Sequence, residues 1–336
     1  MINFSGALYK RKNDDHPKAG GISMDRYFHF IIDACDAGST VAAFCASRNF
    51  SRRLIIRLRK SPEYIRINGN SAFTTAVLSA GDVLDLHVAE DPPSEKLVPT
   101  EMPLSILYED EDMCVIDKPA DMPVHLSMGN YSRTVANACA WYYRQEKTPF
   151  IFRAVNRLDR DTTGAMIVAK NPFAAAACGP AAQVHRIQTE YLAIVEGIPP
   201  AEGTVDAPIA RESGSVMLRR VSPGAGDRAV THFTRLAVRE LSDAEGNQTF
   251  SLILLTPETG RTHQIRVHMK ALGFPLPGDY LYCRDYRFFA RSPLHAWRLT
   301  FPLPVDSRPL TVTAPVPEDM RMAFPEYFDF QFFQEK

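Results

Sequence analysis

Three segments of this 336-residue chain concentrate side chains that core packing explains poorly. The first, NRLDRDTTGAMIVAK at 156–170, is a charge-dense loop running straight into an apolar strand. Loops carried on rigid strands are where reacting groups sit. Its carboxylates, Asp159 and Asp161, could serve as a nucleophile or as an acid–base pair. Two positions apart on an extended chain, they would stand roughly 6–7 Å apart, a separation that glycoside hydrolases use. The second segment, TEYLAIVEG at 189–197, is a strand pattern with Tyr191 near its start, and on its own such a tyrosine reads as core. The third, TPETGRTHQIRVHMKALG at 256–273, reads as a strand, a tight turn and a helix closed by Gly273. It carries His263, Arg266 and His268. The two histidines are neither i,i+3 nor i,i+4, and no nearby carboxylate or cysteine completes a ligand set, so no metal is expected there. Gly214, Gly224 and Gly226 lack the strand, turn and helix of a phosphate cradle, and that loop is assigned no chemistry.

The chain that must position these groups is 45% hydrophobic, enough for one large core and a smaller module. Six cysteines lie far apart without CxxC spacing, which suits reduced thiols packed in a core. Residues 1–21 contain no apolar h-region, and no later run approaches the ~18 apolar residues of a membrane span. A soluble, unexported, cytoplasmic protein without a membrane partner is expected. The net charge of −1 gives no bulk sign of a nucleic-acid partner, so an RNA-binding reading must rest on local clustering.

Such a cluster lies at 48–66, RNFSRRLIIRLRKSPEYIR, with Glu63 as its one acid. Leu54, Ile55 and Leu58 recur at helical spacing, Ser51 can cap the helix and Pro62 stops it. This spacing leaves Arg52, Arg53, Arg57, Arg59 and Lys60 on exposed faces. Short strands follow around turns at 68–70 and 81–82. A Pro-rich, acidic linker is expected at 92–103, between a small domain at 25–91, preceded by a tail at 1–24, and a larger one at 104–336. The larger domain should open with a hairpin, 104–108 and 113–117, followed by a helix capped by Ser132. Further strands are expected at 164–169, 190–197, 230–238 and 250–256. Helices are expected at 171–186, interrupted at Gly179-Pro180, and at 262–272. This order lacks a strict βαβ rhythm and predicts an α+β fold with a mixed, largely antiparallel sheet and flanking helices.

The three chemical segments, in this order, resemble the signature of the RluA-type RNA pseudouridine synthases: an HRLD-x-x-TSG loop, a Y-x-A-x-V-x-G strand and a GRTHQIRVH helix. The upstream DKPADMPVH and the late LHAWRLTFPLP are similar to two further elements of that family. The basic helix and the turns after it resemble an S4-like RNA-binding domain. Together the resemblance covers about residues 33–304. Three positions depart from the pattern: Asn156 stands for the usual His, Thr163 for Ser and Asp121 for Gly. Asn156 and Thr163 keep hydrogen-bonding groups, so altered RNA contacts are expected there rather than lost chemistry. Asp121 occupies a place where glycine often serves a positive φ.

Residue by residue, the resemblance implies that Asp159 is the catalytic carboxylate, that Tyr191 stacks on the target base and that Arg266 pairs with Asp159. Arg157 would contact RNA. Structured RNA, ribosomal first and transfer RNA second, is the implied partner. The chemistry is coherent with these types. Cleaving the C1′–N1 bond of uridine and joining C1′ to C5 needs a nucleophile but no hydride, electron or external group, so no cofactor is expected, and one carboxylate can act. An arginine opposite keeps a carboxylate ionised, and an aromatic ring holds a freed base while it turns. The alternative from another class is a non-catalytic RNA-binding or ribosome-assembly factor built on the same scaffold.

Overall fold

In the computed structural model, residues 24–92, 94–127, 129–145, 150–183 and 186–329 are described; the expected N-terminal tail lies almost wholly outside them. The N-terminal part comprises β1 (Arg26–Ile31), α1 (Val41–Ser47), α2 (Arg52–Leu58), β2 (Ile65–Ile67), β3 (Asn70–Ser71) and β4 (Val83–Val88). Its strands form an antiparallel sheet in the order β1-β4-β2-β3. Alternation sorts the faces: Phe28, Phe30, Leu84 and Leu86 are buried beneath the helices, while Tyr27 is exposed and stacks on His87. Ser51 caps α2 by accepting the Leu54 N–H, as its type and place predict. Leu54, Ile55 and Leu58 face the core, and Arg52, Arg53, Arg59 and Lys60 face solvent. Arg57 differs from the expected free cation, because both its terminal nitrogens donate to Asp91 at 2.8 Å. The hairpin turn needs left-handed backbone at Asn68 and Gly69 (φ 51° and 83°), which these two residue types tolerate best.

The rest of the chain comprises β5 (Ser105–Glu109), β6 (Met113–Lys118), α3 (Val135–Gln145), β7 (Thr163–Ala169), α4 (Pro172–Gln183), β8 (Gln188–Glu196) and β9 (Glu202–Asp206). There follow β10 (Ile209–Arg211), β11 (Arg219–Val221), β12 (Val230–Asp243), β13 (Gly246–Pro257), α5 (Gln264–Ala271), β14 (Leu294–Pro302), β15 (Pro309–Thr313), α6 (Glu318–Ala323) and α7 (Pro325–Asp329). Among the described residues nine strands form one sheet, ordered β5-β6-β7-β14-β8-β13-β12-β9, with β15 on β14. Only the β7–β14 pair is parallel, so the fold is the mixed, largely antiparallel α+β architecture expected. Every residue of β7 is buried, as befits a central strand covered on both faces. Cys45, Cys114, Cys139 and Cys178 are free thiols in the cores. No described helix is long and apolar enough to cross a membrane.

Three local expectations are corrected. Helix α3 is capped by Thr134, whose Oγ1 accepts the Asn137 N–H, not by the exposed Ser132. Helix α4 continues through Gly179-Pro180 to Gln183, although Pro180 has no N–H to donate to the carbonyl of residue 176. Helix α5 begins at Gln264 rather than 262, since His263 adopts a left-handed conformation. The described residues of the 92–103 segment form no helix or strand, but the segment is tied to α3, where Asn137 donates to Val98 O and its carbonyl accepts from Thr100.

The two sheets meet through particular side chains. Phe173 of α4, 1% exposed, packs into the N-terminal core with its ring 4.6 Å from Phe28 and 4.8 Å from Phe50. Arg26 of β1 forms a two-nitrogen pair with the buried Asp112 at 2.9 and 3.2 Å.

Where β7 meets β14, Gly164 takes φ 107°, and a Cβ there would lie 2.2 Å from Ala296 O. Backbone cannot yield as a side chain can, so Gly164→Ala is expected to cost more than about 3 kcal/mol. A melting temperature within a degree of wild type would disprove that close approach.

Candidate active site

The loop bearing Asp159 is fixed from beneath by Lys118, which is fully buried at the end of β6. Its Nζ donates to Pro119 O, Met122 O and Arg160 O at 2.7, 2.9 and 2.8 Å. Three carbonyls use all three protons of an ammonium, one more than a neutral amine can supply. Burial pushes the Lys118 pKa down to about 7, with Asp161 and Asp159 opposing. Asp121, at the neighbouring turn, has φ 53°. The position therefore does need left-handed backbone, which Asp adopts more readily than most residues. Lys118→Met would orphan the carbonyls of Pro119 and Met122, while Arg160 O keeps the Met122 N–H, and is expected to cost about 3 kcal/mol. Denaturant titration checks this.

The other two departures act within the protein. Asn156 Oδ1 accepts the Ile167 N–H at 2.7 Å, pinning the loop to β7. The buried Thr163 hydroxyl lies 2.9 Å from His295 Nδ1. Neither lines the cleft; both anchor the loop within the protein.

The loop opens into a cleft of about 550 Å³, roofed by the 257–266 turn and helix start and floored by Tyr191 and Leu294. Asp159, Tyr191 and Arg266 all line it, and so does Arg157. Arg266 Nη1 donates to Asp159 Oδ2 at 2.9 Å across 107 positions of sequence. The remaining face of the guanidinium is held by Asp279, which accepts from Nε at 2.6 Å and Nη2 at 2.7 Å. Arg266 and Asp279 are 4% and 1% exposed. Burial alone would weaken the guanidinium's hold on its proton, but the two carboxylates outweigh it and raise the pKa. Tyr191 pairs with Leu255 on one side and Ala296 on the other. Burial pushes its phenol up to about 12, with Asp159 adding to the shift, so the ring is neutral. Asp161 does not line the cleft and is bound by Arg160 at 3.1 and 3.3 Å, which removes the paired-carboxylate arrangement of a glycoside hydrolase. Arg52, Arg53, Arg57, Arg59 and Lys60 are not among the cleft residues; they lie on α2 and the turn after it.

The RNA pseudouridylate synthase family profile matches residues 112–271, a span holding Asp159, Tyr191 and Arg266. The uncharacterized RNA pseudouridine synthase YjbO of Bacillus subtilis (strain 168) is 37% identical over 282 residues, covering 84% of this chain and 96% of the relative. The chain belongs to the RNA pseudouridine synthases. The ribosomal large subunit pseudouridine synthase D of Vibrio parahaemolyticus is 40% identical over 272 residues, covering 76% of this chain and 80% of that one. The structure of human RNA pseudouridylate synthase domain containing 1 is similar, with a TM-score of 0.52 and 27% identity over 66% of this chain and 93% of that chain. This synthase is thus an isomerase that converts uridine to pseudouridine in RNA.

Sequence reading missed Asp279, Lys118 and Tyr282 of this synthase. A signal for the first existed: Gly278 has φ 65°, and a Cβ there would lie 2.4 Å from Phe289 O, so the Gly-Asp pair marks a tight backbone approach. Tyr282 lies 9% exposed beneath Arg266, whose guanidinium carbon is 5.1 Å from its ring.

Two buried histidines and the partly buried His263 are held toward the neutral form: burial lowers His263 and His295 to about 4 and also lowers His268. Since an unfolded histidine titrates near ~6.5, the unfolded chain binds more protons below that pH. Stability from His263 and His295 is complete above about 6.5 and is lost as pH falls toward 4, by up to about 1.4 kcal/mol per pH unit for each. Urea unfolding at pH 7 and pH 5 should show the loss, and His295→Gln should reduce the slope.

Proposed function

We propose that this enzyme uses Asp159 as the reacting carboxylate, Tyr191 as the ring on which the freed uracil turns, and Arg266 as the cation that holds Asp159. The observation that carries this reading is the placement of Asp159 in the cleft with its one hydrogen-bonded side-chain donor, Arg266, on a single oxygen. Arg266 donates to Oδ2, and Oδ1 takes no hydrogen bond among the described residues, so one oxygen is held while the other is available to the nucleotide. In the reaction the C1′–N1 bond breaks and C1′ joins C5. The C5 proton leaves and N1 gains one, so nothing is consumed. Asp159 forms its bond to C1′ or C6, or removes the C5 proton; each requires an ionised carboxylate. Tyr191 offers a face that binds uracil without forbidding rotation.

Structured RNA, with large-subunit ribosomal RNA foremost and transfer RNA second, is the proposed substrate, and the cytoplasm the proposed place of action. The names of several relatives support the ribosomal choice. We divide the chain into an S4-like RNA-binding unit at 25–91, a linker at 92–103 and a synthase domain at 104–336. Support for the first unit comes from its separate sheet and from the exposed Arg52, Arg53, Arg59 and Lys60. Mapping pseudouridines in ribosomal and transfer RNA from cells with and without the protein tests the substrate.

The basic helix has its own test. Changing Arg52, Arg53 and Lys60 together to Gln in the full-length chain should lower the salt slope of RNA binding by up to ~0.9 for each phosphate that is no longer neutralised. Substitution is preferable to deletion here, because removing the unit would uncover Phe173. An unchanged slope would mean that this helix does not read RNA.

A further inference from the structure

Asp159 is approached by a second donor that none of the residue types alone would single out. His263 Nε2 lies 3.9 Å from Asp159 Oδ2, the oxygen that Arg266 already holds. His263 has φ 58°, a left-handed conformation uncommon outside glycine and clustered at functional sites. Its side chain is 11% exposed. On the far edge of the ring, Nδ1 lies 2.9 Å from the Tyr282 hydroxyl. That same hydroxyl accepts the backbone N–H of Arg219 at 2.9 Å, so it also holds strand β11.

We propose that His263 is a positioning residue: a neutral imidazole whose Nε2–H is aimed at Asp159 Oδ2 and whose tautomer is set by Tyr282, which links it to the β10–β11 hairpin. This rests on Asp159 as the reacting carboxylate. A phenol has one proton and two lone pairs. With one lone pair taken by Arg219 N–H, its proton is available to Nδ1, which leaves the ring proton on Nε2. The opposite tautomer would set an Nε2 lone pair against a carboxylate oxygen, two acceptors face to face. Burial keeps the ring neutral, with Asp159 and Asp279 opposing and Arg266 and Arg219 adding to the shift.

Arg266 bonded to Oδ2 and the Nε2–H facing the same oxygen orient the carboxylate and leave Oδ1 turned to the nucleotide. At 3.9 Å the Nε2–H is beyond bonding distance and acts on Oδ2 through its dipole. Strand β11 bears Arg219, opposite Arg211, and the exposed Arg220. RNA that displaces this hairpin therefore acts on Tyr282, then His263, then Asp159.

Long-range proton–nitrogen spectra of the full-length protein with labelled histidine test the tautomer. Wild type at pH 7 should show Nε2–H at His263. Tyr282→Phe, which keeps the ring beneath Arg266, should show a mixture. Kinetics on an unmodified large-subunit ribosomal RNA transcript supply the second readout. His263→Asn suits left-handed backbone but has no donor at the Nε2 position. It should slow single turnover at saturating RNA about 10- to 100-fold, the cost of a misplaced reacting group, without changing RNA Kd. His263→Gln, whose amide nitrogen reaches that position, should recover most of the rate. An Nδ1–H tautomer in wild type overturns the proposal, as does an equal fall in both variants that tracks their melting temperatures. The spectrum does not depend on turnover, so a fully active Asp159→Asn would remove the underlying assignment while leaving the tautomer result intact.

Discussion

Asp159→Asn is expected to abolish measurable pseudouridine formation, with single-turnover rates falling by about 10³ or more, as for loss of a covalent catalyst. The substitution keeps side-chain size and an oxygen that can accept from Arg266 Nη1. Asp159 is 21% exposed and Arg266 retains Asp279, so folding and RNA affinity should be preserved. The reacting character of the group alone is removed. Asp161→Asn is the matched control. Its carboxylate meets Arg160, outside the cleft, so it should cost far less. Should Asp159→Asn convert uridine at a comparable rate, or Asp161→Asn be the variant that dies, the assignment of the reacting carboxylate is wrong. A wild type that binds RNA tightly yet forms no pseudouridine in any cellular RNA would instead favour the assembly-factor alternative.

Arg266→Lys should be the next most damaging change, slowing turnover by about 10². One planar guanidinium here serves two carboxylates at once: Nε and Nη2 take Asp279 and Nη1 takes Asp159. A lysine ammonium is a point charge on a flexible stem and cannot reproduce that fork. Arg266→Ala should be worse on both counts, because it leaves Asp279, 1% exposed, without its cation. Breaking a buried pair in this way costs about 3–5 kcal/mol. Rates at saturating RNA, normalised to the folded fraction by circular dichroism, separate the catalytic loss from the structural one. Wild-type rates in both variants would remove Arg266 from the active site.

Much of this molecule was legible without coordinates where the deciding forces are local. Ser51 caps α2 because an N-cap hydroxyl and its N–H acceptor lie three residues apart. The apolar alternation of β1 and β4 sorts their two faces for a similar reason. The resemblance carried in three ordered segments singled out Asp159, Tyr191 and Arg266, and the fold brings all three to one cleft. Local rules erred where tertiary contacts compete with them. Thr134 caps α3 because Asn137 closes a hydrogen-bonded box around it, although Ser132 has the same chemistry. His263 leaves α5 and turns left-handed where its ring meets Tyr282.

What only the tertiary structure decided are the partners that make the site specific. Asp279 completes the Arg266 fork, Lys118 ties β6 to the carbonyl of Arg160, 42 positions away, and Phe173 joins the N-terminal core. In the sequence these are an aspartate after a glycine, a lysine in a strand and a phenylalanine in a helix, each with an ordinary surface or core role open to it. Their roles arise from burial together with groups far away in the chain, since a charge is held inside a protein only by the partners that the fold brings to it.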